Sequence, residues 1–208
     1  MFFSLIVKGG LVMIPIIALS IIGLALILER IWTLWKIRLD IPQFAQEIFV
    51  YMEKGHFQRA MERCEEVRHP IADVFKLGIL NRTLKRQELE AMMEREGDEQ
   101  VQYLEQYLGA LIIIIGVEPM LGFLGTIVGL IQAFMAWERL GTNITVSALA
   151  AGIYQAMITT AGGLIVAIPY YVVYHLIVGQ IKGHAQEMTY YGNELIDILV
   201  RSKEGGVR

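Results

Sequence analysis

Three hydrogen-bonding side chains, Gln155, Thr159 and Thr160, stand in the stretch "QAMITTAGGLIVAIP", with Pro169 closing it. The surrounding run from Leu140 to Ile181 carries no Asp, Glu, Lys or Arg. Lipid is the expected medium for such a run, and a polar group there is costly unless it has work to do. Hydroxyls and an amide in the middle of a span suggest a polar path through the lipid rather than an apolar seam. A second apolar run, 106–137, carries Thr126 and a single acid, Glu118. An ionisable residue inside a span is a functional candidate by default, and Pro119 beside it loosens the helix.

These residues must be presented by helices. At 100° per residue, Ala148, Gly152, Gln155, Thr159, Gly162, Gly163 and Val166 share one face of the third span, with Pro169 at its edge. Thr160 and Ala156 flank that face, and Ile153, Met157, Leu164 and Ile168 fill the opposite one. In the second span Glu118, Gly122, Gly125, Thr126, Gly129, Ala133 and Ala136 form a similar stripe. Gly125 and Gly129 make the G-x-x-x-G spacing that allows helix backbones to approach closely. Glycines in spans are packing residues first, and a lone threonine can bond back to its own helix. The two spans agree in depth, however. Counted from the outer loop, Thr126 lies eleven residues in from Trp137 and Thr160 thirteen in from Ser147, so their hydroxyls are expected to meet in mid-membrane.

The whole chain fits this setting. Its 208 residues are 55% hydrophobic and only 19% charged, with mean hydropathy +0.49. That leaves too little polar surface for a soluble globule. A net charge of −3 and the absence of a basic stripe exclude a nucleic-acid partner. The first span lies between Lys8 and Glu29, twenty uncharged residues without a cleavage site behind them, and reads as a retained helix. The expected organisation is all-α: an N-terminal segment and first span over 1–35, a charged helical region over 36–105, a second span over 106–137, a periplasmic loop over 138–147, a third span over 148–181 and a tail over 182–208. The second and third helices are long enough to project beyond the lipid. Gly55 and the "RHP" of 68–70 mark turns. Twelve Lys/Arg fall in 30–105 and four after the third span, against Lys8 and Arg139 on the other side. The positive-inside rule then puts the N-terminus outside and the C-terminus in the cytoplasm. Cys64 reads as an incidental free thiol and His175 as interfacial. No His, Cys or acid cluster has metal-binding spacing, and no phosphate loop, nucleophile elbow or zinc-protease motif is present, so neither a metal, a cofactor nor an enzyme is expected.

"KGGLVMIPIIALSIIGLALILER", "EPMLGFLGTIVGLIQAF" and "GIYQAMITTAGGLIVAIPYYVVYH" together resemble the three spans of the MotA/TolQ/ExbB proton-channel family, on its TolQ/ExbB side. The Glu-Arg pair ending the first span, "GFLGT" in the second and "TTAGGLIVAIP" in the third carry the likeness over nearly the whole chain. The resemblance implies a motor subunit of the bacterial inner membrane. Five copies would surround two copies of a single-span ExbD/TolR-type partner, whose intramembrane aspartate exchanges the ion. It also implies that Thr126 and Thr160 match channel-lining threonines and Pro169 the proline of the third span, and that Gly122, Gly125, Gly129, Gly162, Gly163 and Pro169 pack around the pore. Two positions depart from the pattern: Gln155 stands where many relatives carry glutamate, and Glu118 where they carry a small residue. The paired hydroxyls Thr159 and Thr160 raise sodium as the alternative to a proton, since sodium needs several oxygen ligands. Competing readings are a passive membrane scaffold for the partner and a solute transporter, the latter disfavoured by the lack of an inverted repeat.

Overall fold

A computed structural model describes residues 8–140 and 146–205, and all regular structure among them is helical. The loop centre at 141–145, the extreme N-terminus, the last three residues and the side chain of Ala148 lie outside the described residues. In chain order the helices are α1 (Met13–Lys36), α2 (Ile41–Glu53), α3 (Phe57–Glu66), α4 (Pro70–Leu80), α5 (Arg86–Leu104), α6 (Leu108–Leu140) and α7 (Val146–Gly205). Three of them, beginning with α1 and including α6 and α7, contain stretches long and apolar enough to cross a membrane. At about 1.5 Å per residue, the 60 residues of α7 run about three times the thickness of the hydrocarbon core.

The chain divides into two compact units, Met1–Glu29 with Tyr107–Leu176, and Arg30–Gln106 with Ile177–Arg208. The second unit is built like a soluble helical domain. Its starts follow local chemistry. Asp40 accepts a hydrogen bond from the Gln43 N–H at 3.2 Å, capping α2 just before Pro42. Gly55, at φ +72°, supplies the left-handed turn between α2 and α3. Buried Ile41, Phe44, Ile48, Phe75, Ile79, Leu89 and Met93 form its core, with Phe44 and Phe75 stacked at 5.9 Å. Arg30, 2% exposed, donates to the carbonyls of Tyr103 and Leu104 at 3.1 and 3.3 Å. The arginine that ends the first span therefore satisfies two carbonyls at the C-terminus of α5, where a cation is favoured.

One expectation changes here. The segment from 182, expected as a tail, continues α7 to Gly205 and gives Met188, Leu195, Ile196 and Leu199 to this core. Those residues recur at helical spacing, which the charged and glycine residues between them obscured. Cys64, a free thiol as expected, is 4% exposed, and burial pushes its thiol up to about 12.

His69 caps α4 by an unusual route, its Nδ1 accepting from the Ile71 N–H at 3.1 Å. Its ring stands edge-on to His184, centroids 5.3 Å apart. Burial, and secondarily His184, hold its pKa down to about 4. An unfolded histidine titrates near ~6.5, so the unfolded chain binds the extra proton between those values. The contribution is complete above the unfolded value and is lost as pH falls from there towards 4. It amounts to ~3 kcal/mol at most. His69→Asn keeps a capping side chain without the titration. Its thermal stability in detergent should depend less on pH across that window than the wild type's. Identical pH slopes would refute the assignment.

Candidate functional site

The first unit packs α7 against both α1 and α6, and small residues decide how closely. On the α6 side the approach is backbone to backbone. A Cβ at Gly129 would lie 2.6 Å from the Gly152 carbonyl oxygen and 2.8 Å from the Ala156 nitrogen. A Cβ at Gly122 would lie 3.0 Å from the Thr159 carbonyl oxygen, and one at Gly163 2.5 Å from that of Glu118. Gly125 receives the side chain of Thr159 directly. On the α1 side, Gly162 faces the Met13 methyl, Gly23 faces the Tyr170 ring, and Gly10, at φ +69°, faces the Gln155 amide. Tyr170 donates its hydroxyl proton to the Ser20 carbonyl at 2.6 Å. The single polar and small arc read from the sequence is thus divided between two neighbouring helices of the same chain.

At the centre of the α6–α7 seam the hydroxyls of Thr126 and Thr160 are hydrogen-bonded to each other. Both also reach the Gly122 carbonyl, Thr160 at 3.1 Å and Thr126 at 3.3 Å, and Thr126 lies 3.4 Å from the Ala156 carbonyl. Each hydroxyl has one proton to donate. One threonine donates to the other, which then donates to a carbonyl, and the direction can reverse because either end has an acceptor. Such a chain can pass a proton by exchanging donor and acceptor roles. Both residues are half-buried, so the pair also reaches the surface of the protomer.

The other candidate residues are placed differently. Thr159 is 0% exposed and donates back into its own helix, 3.1 Å from the Gln155 carbonyl and 3.0 Å from that of Ala156. Gln155 is half-buried and lines an open pocket of about 540 Å³ with Lys8, Gln132 and Tyr154. Glu118 is 0% exposed, and neither carboxyl oxygen has a hydrogen-bond partner. Pro169 lies within α7 and is exposed. His175 is exposed beside Tyr171 and Tyr174. Among the described residues no three metal-binding side chains come together. Sequence reasoning missed the contribution of the first span, from Gly10 just before α1 and from Met13, Ser20 and Gly23 within it. The signal was present in the glycines of the first span, which are idle in a helix facing only lipid.

The chain is similar to known proteins over most of its length. Residues 66–189 match the MotA/TolQ/ExbB proton channel family. The chain is 36% identical over 211 aligned residues to a biopolymer transport protein ExbB homologue of Methanothermobacter thermautotrophicus, covering 96% of this chain and 72% of the relative. It is 31% identical over 194 residues to a biopolymer transport protein ExbB-like 1 of Synechocystis, covering 90% and 75%. The Tol-Pal system protein TolQ of Haemophilus influenzae is 31% identical over 108 residues, covering 52% and 47%. A family match over more than half the chain, two relatives aligned over 90% or more of this chain and three apolar helices of spanning length agree: the chain is a membrane protein of the MotA/TolQ/ExbB proton channel family, on its ExbB/TolQ-like side.

Proposed function

We propose that this chain is the channel-forming subunit of an ion-driven motor in the bacterial inner membrane. With a single-span ExbD/TolR-type partner it converts proton motive force into mechanical work on the envelope or on outer-membrane transport. The Thr126–Thr160 hydroxyl pair carries this reading, because it offers a reversible proton relay at mid-span where packing alone would need no hydroxyl. Five copies of the chain surround a partner dimer, N-terminus periplasmic and C-terminus cytoplasmic, as the basic residues favour. The threonine pair faces the partner's carboxylate. Gly122, Gly125, Gly129 and Gly163 hold α6 and α7 at the separation that keeps the hydroxyls in contact, and Gly162 does the same against α1.

The proton is the transported ion. Supporting this, Thr159 is buried and committed to its own backbone, so it adds no free oxygen ligand for sodium. The test is passive ion flux in proteoliposomes containing the chain with and without its partner, under an imposed potential. Proton flux that requires the partner, and that persists when sodium is replaced by potassium, is expected. Partner binding without flux would establish a non-conducting scaffold instead, and flux lost with sodium would establish a sodium motor. Thr159→Ala should leave ion preference unchanged, measured in the same assay.

A further inference from the structure

We propose that Glu118 is a proton-binding carboxyl of the conduction path, loaded and unloaded on the inward side of the Thr126–Thr160 pair. The proposal rests on the motor reading above. Glu118 is completely enclosed within one chain, so its burial does not depend on neighbouring subunits. Both its oxygens lack a hydrogen-bond donor. Burying a carboxylate without a partner is among the most costly arrangements a membrane helix can hold.

The elements around it supply no counter-charge. Between Leu108 and Trp137, α6 has no other charged residue. α1 has none from Met13 to Leu28, and α7 none from Val146 to Ile181. Tyr170 on α7 has already committed its hydroxyl proton to the Ser20 carbonyl. A site of this kind suits a proton, which removes the charge, and not a bare anion.

Its place along α6 connects it to the relay. Glu118, Gly122 and Thr126 follow at one-turn intervals on one stripe, and the Gly122 carbonyl accepts from both threonines. Glu118 is therefore two turns, ~12 Å along the axis, from Thr126. Helical side chains lean towards the N-terminus, which directs the carboxyl to the inward end of α6 in the proposed orientation. Pro119 has no N–H, so the Ile115 carbonyl lacks its helical donor and offers water a foothold one turn further in. In the step itself, the partner's carboxyl group, when protonated, gives its proton to the hydroxyl pair as the pair releases one to water, and that water protonates the Glu118 carboxylate. The O–H bond then breaks towards the cytoplasmic side, returning the carboxylate and a hydrated proton.

Dicyclohexylcarbodiimide, which attacks protonated carboxyls in apolar surroundings, is the probe. The full complex in membrane vesicles is treated over a pH series with and without sodium, and the Glu118 peptide is quantified by mass spectrometry. Parallel liposome assays measure proton flux for wild type, Glu118→Gln and Glu118→Asp. Labelling of Glu118 that declines as pH rises and ignores sodium is expected. Glu118→Gln should assemble normally yet lose flux on the order of 10²-fold, and Glu118→Asp should retain part of it with a displaced pH profile. Three results would overturn the proposal while leaving the motor reading intact: a conducting complex that is never labelled, full flux in Glu118→Gln, or protection from labelling by sodium in a proton-conducting complex. A wild-type complex that does not conduct would remove both.

Discussion

Gly129→Leu should yield a chain that no longer forms a stable oligomer. Even a Cβ at this position would meet the Gly152 carbonyl oxygen at 2.6 Å and the Ala156 nitrogen at 2.8 Å. Both obstacles are backbone, so no rotamer change clears them. Gly152 meets α6 just as closely from the other side, with Ala133 Cβ 2.8 Å from where its own Cβ would lie. The helices must separate, and with them Thr126 and Thr160, one turn below on the same seam. Overpacking a well-filled core typically costs ~1–3 kcal/mol, and a clash against fixed backbone belongs at or beyond the upper end. Gly129→Ala should be a graded version. Gly116→Ala is the control, since a Cβ there meets nothing within 4 Å. Thermal unfolding in detergent and native mass spectrometry read the outcome. A Gly129→Leu protein with wild-type stability and mass would show that α6 and α7 are not held together by this contact.

How far the sequence reached depended on the kind of information each feature needs. Span existence follows from apolar length, which is local, and α1, α6 and α7 lie where the uncharged runs predict. The meeting of Thr126 and Thr160 was legible because depth can be counted residue by residue from a shared loop. A helical wheel says which residues share a face but not which helix covers it. For that reason the division of the α7 arc, with Thr159 and Gly163 against α6 and Gln155 and Gly162 against α1, needed coordinates. The burial of Glu118 was hidden for a related reason. An acid ten residues into a helix can face water, a neighbour or a sealed seam, and only packing chooses among them. The helical continuation to Gly205 was masked by charge density, although its apolar residues kept helical spacing.

The division of labour along the seam has a physical logic. Glycines bring the backbones together, and close approach lets two short side chains on different helices share a hydrogen bond that longer residues could not make at that separation. Thr159 sits within the same seam, yet its hydroxyl turns back on its own helix and its body fills the space at Gly125. Two adjacent residues of the same type therefore have different parts, one in packing and one in the proposed relay. Which is which depends on whether a carbonyl of the opposite helix is in reach, as Gly122 is for Thr160.

That difference makes the second large prediction specific. Thr160→Val and Thr126→Val should each lower proton flux on the order of 10²-fold in the partner-containing complex, while leaving the oligomer intact. Valine keeps the branched shape and removes only the hydroxyl. In Thr160→Val the remaining Thr126 still has the Gly122 and Ala156 carbonyls as acceptors, so no buried donor is stranded. In Thr126→Val, Thr160 keeps the Gly122 carbonyl. What each change breaks is the exchange of donor and acceptor between the two oxygens. Because both losses interrupt the same exchange, the double variant should be little worse than either single one, the signature of groups that act as a unit. Serine at either position restores the hydroxyl and should restore most of the flux. Thr159→Val, which leaves the relay untouched, should conduct like wild type wherever it assembles. Flux losses that simply multiply in the double variant, or wild-type flux in Thr160→Val, would show that the pair is a packing contact and that the ion crosses elsewhere.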